Sequence, residues 1–302
     1  MKPGQPPLPF NTAFGLLVLS GVIMGFSPVF VREAEVGAFA SAFWRIALAL
    51  PALGLWAWFE SRKTGRPVFS AFPVSAILAG VFFAGDLIFW HLSILNTTMA
   101  NATFTVCLSV VWVAIFSNWV LGEQINKAAW AGLVLCLAGL AMLISSSLDI
   151  APERLIGDIY GLITSVFLGL YFLAMRFARR EMQSGQLFFN SSIVTGIVLF
   201  AAMIISADKI MPDTGAGWTS LVSLGLFTHV GGQGLVTIAL GSLSAMFSSL
   251  VIFIEALAAA FFGWWWFGEE MSPMQWTGGL LILAGVWLAR PLPVKKAKLK
   301  ET

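Results

Sequence analysis

Few ionisable side chains of this 302-residue chain lie well inside its apolar runs, away from their ends, and those that do are candidates for chemistry: Arg45, Asp86, His91, His229 and Glu255. A charge held in such surroundings is expensive, and is normally met by a partner, a cavity or a ligand. Arg45 and Asp86 sit about eight and about nine or ten residues inward from the same end of neighbouring runs. At ~1.5 Å per residue the two are at similar depth. The placement predicts an Arg45–Asp86 ion pair, which would either fix helix register or couple to a bound solute. Glu255 stands about twelve residues from either end of its run. It suits a proton-linked carboxylate, a ligand for an ammonium group, or a side chain bonded to backbone and water.

Neutral polar and aromatic residues extend the candidate set. Thr98, Asn101 and Thr105 share one helix face by their i, i+3, i+7 spacing and either pack closely or line a cavity. Trp90, His91 and Trp112 lie deep in their runs, where an aromatic wall offers apolar area and a quadrupole for ammonium groups. Trp112 facing lipid is the bland alternative. His229 is followed by Gly231, Gly232, Gln233 and Gly234, a cluster that loosens a helix or admits a close neighbour. It reads as a gating or packing segment more readily than as a binding site.

Several chemistries are excluded. No G-x-x-x-x-G-K-[ST] loop is present, so ATP is not the driver. Cys107 and Cys136 have no metal or redox spacing, and two isolated histidines supply no nucleophile–base or metal cluster. No cofactor, metal or enzymatic activity is expected. The net charge of +2 is small and scattered, which gives no footprint for nucleic acid.

The elements that position these residues follow from composition. Hydrophobic residues make up 58% and charged residues 11%, against about 25% charged in soluble domains. The chain is read as an all-α polytopic membrane protein. Ten runs approach the ~20 residues a crossing needs: 12–31, 38–59, 71–95, 98–121, 127–146, 156–178, 187–206, 217–240, 243–267 and 274–290. The first is long for a signal peptide and carries Gly21-x-x-x-Gly25 and Ser27-Pro28, so it is read as a retained span. Trp56, Trp58, Trp218 and Trp264–Trp266 near span ends read as interfacial anchors. With the amino terminus inside, 13 of the 17 Lys and Arg fall on the cytoplasmic side, three outside, and Arg45 within a span. That bias places both termini in the cytoplasm.

Leu121–Leu143 returns 146 residues later, with Gly122/Gly268, Glu123/Glu269, Trp130/Trp276, Gly132/Gly278 and Gly139/Gly285 among eight identities in 23 positions. The chain therefore divides into repeats at 1–146 and 147–302. Five spans per repeat is an odd number, so the second copy enters the membrane inverted. Inverted repeats around a midplane cavity are a common build for secondary transporters.

WHLSILNTTMANATF (90–104), the two Gly-Glu ends and QGLVTIALGSLSAMFSSLVIFIEALAA (233–259) resemble the EamA-type branch of the drug/metabolite transporter superfamily. GFSPVFVREAEVGAFASAFWR (25–45) and FWHLSI (89–94) are most similar to YddG-type exporters of aromatic and other neutral amino acids. The resemblance implies Trp90 and His91 at a substrate cavity, with Trp112 as a cavity aromatic. It implies an exporter of amino acids or related metabolites by alternating access, in a bacterial inner membrane; a monomer is expected. A multidrug or cation exporter working by proton antiport, dependent on Glu255, is the alternative. This chain has Val110 and Ala256 where the family often has proline, so straighter spans four and nine are expected. The gating bend would then fall at Ser27-Pro28 or Gly231–Gly234.

Overall fold

The computed structural model describes residues 7–65, 67–68, 72–145, 152–206, 209–267 and 270–291. Gly268, Glu269 and the basic residues Lys2, Arg66, Lys295, Lys296, Lys298 and Lys300, as well as the side chain of Trp266, lie outside that description. Among the described residues, eight helical runs are long and apolar enough to cross a membrane: Phe10–Arg32, Ala38–Thr64, Val74–Asn96, Ala100–Leu121, Pro152–Ala178, Ser184–Ser206, Gly215–Ala239 and Ala245–Phe262. Lys127–Leu143 is a shorter apolar helix of 17 residues, ~25 Å long, and Pro273–Leu288 has 16. Together they make an all-α membrane protein of ten spans, built as an inverted repeat.

The first span is α1 (Phe10–Met24) and α2 (Ser27–Arg32); the second is α3 (Ala38–Ala47) and α4 (Leu50–Thr64). Each break has a proline just beyond it. Pro28 and Pro51 lack the N–H that would bond back to Met24 and Ala47, and each restarts its helix in the first turn. The third span is α5 (Val74–Asn96), and the fourth is α6 (Met99–Cys107) with α7 (Ser109–Leu121). Then come α8 (Lys127–Leu143), α9 (Leu155–Ala178) and α10 (Ser184–Ser206). The eighth span joins α11 (Gly215–Val222), a π-helical stretch Ser223–Gln233, and α12 (Gly234–Ala239). The ninth is α13 (Ala245–Ser249) with α14 (Val251–Phe267), and the tenth α15 (Pro273–Leu288).

Spans four and nine are interrupted even without proline, which corrects the expectation that they run straight. At Leu108 and Leu250 the helix tightens, with Val111 N–H bonding to Leu108 O and Phe253 N–H to Leu250 O. Hydroxyls just upstream account for this. Thr105 Oγ1 donates to Asn101 O, and Ser249 Oγ to Met246 O, competing with the backbone ladder and bending it. The Ser27-Pro28 break and the π-helical stretch through Gly231 and Gly232 are present as well. A Cβ at Gly232 would stand 2.6 Å from Met24 Cγ, so a side chain there would push the stretch off α1.

The repeat is visible in the pairing of α8 with α15. Gly132 approaches Gly285 and Gly139 approaches Gly278, with an added Cβ 2.5 Å and 2.6 Å from the opposing carbonyl. Gly132 corresponds to Gly278 and Gly139 to Gly285, so the two contacts exchange under the duplication and the helices run antiparallel. That is the signature of a two-fold axis, passing beside Cys136, whose thiol meets the carbonyl of its own repeat counterpart, Ile282, at 3.6 Å. The other spans obey the same exchange. Spans three and six pack together, as do eight and one, and spans two and seven close the other side.

Candidate functional site

Between the halves is a cavity of about 60 Å³. Its wall brings Arg45 of α3 together with Asp86 and Trp90 of α5, Glu255 of α14, Gln233 at the end of the π-helical stretch and Ser27 at the start of α2. Phe83 and Phe172 add aromatic surface. Arg45 is 4% exposed and Asp86 6%; Glu255 is half-buried. The breaks around Pro28 and the π-helical stretch set Ser27 and Gln233 on this wall. Gln233 is held by its side-chain N–H, which donates to Tyr171 Oη at 3.0 Å.

The Arg45–Asp86 ion pair does not form. Among the described residues no nitrogen–oxygen pair within 4.0 Å joins Arg45 to Asp86 or Glu255. Arg45 Nη1 donates to Ser27 Oγ at 3.3 Å instead, and its buried Nε has no partner. The two residues share a cavity rather than a contact.

Of the other sequence candidates, several sit away from this wall. His91 is buried, its Nδ1 2.6 Å from Leu87 O and its ring edge-on to Trp90 at 5.0 Å. Asn101 Nδ2 donates to Asp158 Oδ1 at 3.0 Å, joining α6 to α9. Trp112 Nε1 donates to Ser165 Oγ at 2.9 Å, and its Cβ packs on Gly169. His229 lies between Phe83 and Phe188, its Nε2 3.3 Å from Ser192 Oγ. Pro28 neighbours Ser27, and Gly231 and Gly232 face Ile23 and Met24 of α1.

Around the cavity, carboxylates reach across from one half to the other. Gly122 ends α7 with φ 68°, a left-handed turn that favours glycine. Glu123 follows it and accepts from Arg176 Nε at 2.7 Å and from the amide of Ala245, first residue of α13, at 2.9 Å. Arg176 also donates to Leu240 O. At the same end Glu60 accepts from the amides of Gly185 and Gln186 in the first turn of α10. At the opposite end Glu35 accepts from the amides of Asp213 and Thr214 and from the Thr214 hydroxyl. Asp158 takes Thr97 Oγ1 and Asn101 Nδ2 beside the start of α6. A carboxylate is well placed at a helix amino terminus, where unpaired N–H groups and the dipole both favour it. The Thr214 hydroxyl, with the two amides, holds the Glu35 carboxyl below its ordinary value.

Ten spans in an inverted repeat around a charged cavity are a common build of membrane transporters. The sequence profile of the EamA-like transporter family matches the chain twice, over residues 11–145 and 155–290, and the chain belongs to that family. An uncharacterised transporter of Archaeoglobus fulgidus is 24% identical over 90% of this chain and 94% of its own length. The pseudopaline exporter CntI of Pseudomonas aeruginosa is 25% identical over 68% of this chain and 71% of its own. A protein of known crystal structure superposes with a TM-score of 0.75 at 18% identity, covering 92% of this chain and 96% of that one. At that identity the likeness speaks for the fold alone.

Proposed function

We propose that this transporter exports small amphipathic metabolites, aromatic or other neutral amino acids above all, by alternating access of the central cavity. The observation that carries the reading is the cavity wall itself. One guanidinium and two carboxylates stand beside Trp90, Phe83 and Phe172. A zwitterion with an apolar side chain presents the complementary groups: a carboxylate, an ammonium and a surface for aromatic rings. That one relative is an exporter supports the direction.

In this reading the halves 1–146 and 147–302 rock about the seam of α8 and α15, with both termini in the cytoplasm of a bacterial inner membrane. A single chain encloses the cavity, so a monomer suffices. The Glu123 end of the bundle is then cytoplasmic and the Glu35 end external. Purified protein in liposomes, loaded with a panel of labelled amino acids and cationic dyes, tests it. Flux of neutral amino acids is expected. Dye flux without amino-acid flux would replace this reading with the second one, a cation exporter, which is favoured by the excess of carboxylates over guanidinium at the cavity. In that case Glu255→Gln abolishes dye efflux.

A further inference from the structure

Arg45 is the cation of the cavity wall, and its hydrogen bonding is incomplete. A guanidinium carries five N–H donors in a fixed fork. Here Nη1 reaches Ser27 Oγ at the long distance of 3.3 Å, and Nε, fully buried, has no partner. Buried donors of a charged group are seldom left unpaired, because the lost water is not replaced. The nearby carboxylates do not fill the gap: Asp86 and Glu255 share the wall but neither comes within 4.0 Å of Arg45. The space between these groups is also small. A cavity of about 60 Å³ holds roughly four water-sized groups, at ~15 Å³ each. That is the scale of a compact polar head, not of a whole aromatic molecule.

Resting on the amino-acid reading above, we propose that Arg45 is the anchor for the substrate's carboxylate, and that the site requires this group. The substrate carboxylate takes the unpartnered Nε–Nη edge of the guanidinium, the bidentate geometry for which arginine is suited and lysine is not. Ser27 is the positioning residue that holds Nη1. The ammonium is left to Glu255 and Asp86, and the side chain extends along Trp90. The class of substrate is thus a free α-amino carboxylate. Amines of the same skeleton are excluded because they offer the guanidinium no acceptor, and amides and esters because a single neutral carbonyl replaces two charged oxygens and leaves the buried charge unmatched.

The test uses the full-length protein in liposomes, with phenylalanine as the labelled probe and phenylalaninamide and phenethylamine as unlabelled competitors. With the unsubstituted protein, both competitors are expected to act at least tenfold more weakly than phenylalanine. Arg45→Lys keeps the charge and loses the fork, so KM for phenylalanine rises about tenfold while the maximal rate changes little. In Arg45→Gln the discrimination between phenylalanine and its amide falls toward one. Equal competition by acid and amide in the unsubstituted protein overturns the proposal, and so does an Arg45→Gln protein that keeps the discrimination. The competitor series needs no variant, so it decides the matter even if Arg45→Gln does not fold. Absence of any amino-acid flux overturns the amino-acid reading and this proposal together, whereas flux of acid and amide alike overturns this proposal alone.

Discussion

Glu123 offers the sharpest test of how the bundle closes at one end. Its two oxygens accept from Arg176 Nε at 2.7 Å and from Ala245 N–H at 2.9 Å, and so tie the end of the first half's fourth span to the sixth and ninth. Glu123→Gln keeps the shape but replaces one acceptor with a donor, which then faces an N–H. Hydrogen bonds to charged groups contribute ~1.5–3 kcal/mol. The Glu123 and Arg176 side chains are 16% and 20% exposed, so water weakens the pair and the lower bound applies. About 1.5 kcal/mol is close to a tenfold change in an equilibrium. If these bonds hold this end shut, the open fraction rises about tenfold. Ser248, buried on α13 three residues beyond Ala245, reports it. Ser248→Cys is placed in a background with Cys107 and Cys136 replaced by alanine. Its modification by a membrane-impermeant thiol reagent, added from the Glu123 side, should speed up about tenfold on adding Glu123→Gln. An unchanged rate, or an equal gain from the opposite side, would refute the reasoning.

Gly139→Ala drives a methyl to 2.6 Å from Gly278 O and should cost about 1–3 kcal/mol by overpacking, read as a lower unfolding temperature in detergent. Gly15→Ala, with nothing within 4 Å, should leave that temperature unchanged or raise it slightly. Asn101→Ala removes a bond to Asp158 and should lower stability by about 1.5 kcal/mol while leaving the transport KM unchanged, because Asn101 does not line the cavity. The folded pKa of Glu35 lies below its ordinary value of 4.5, so its capping stabilises above that value and fades as pH falls through the folded one. Hydrogen exchange at Asp213 and Thr214 should therefore lose protection in acid below about pH 4.5, and Glu35→Ala should show low protection at every pH.

The spans were legible because bilayer thickness imposes a length that few residues interrupt, and the seam because Gly132, Gly139 and their copies must let two backbones touch. Arg45, Asp86 and Glu255 stood out as rare charges in apolar runs. What they do to one another did not, since a shared depth cannot separate a contact from a common cavity. Ser27 and Gln233 were masked by louder neighbours, a proline and three glycines. The cross-half caps were harder still. Glu35, Glu60 and Asp158 look like ordinary loop or span-end charges, because their partners are amides and hydroxyls far away in the chain, and a backbone amide has no letter of its own. The breaks at Leu108 and Leu250 follow from single hydroxyls bonding within their own turn, a signal weaker than the missing prolines that pointed the other way.

The antiparallel seam has a bearing on ancestry and on engineering. A surface in which each glycine meets the other copy's counterpart of its partner is close to being its own complement. A helix with glycines spaced as Gly132 and Gly139 are presents a face that an upside-down copy of itself can meet. Fusion into one polypeptide then adds something a symmetric pair lacks: freedom for the two ends of the bundle to diverge.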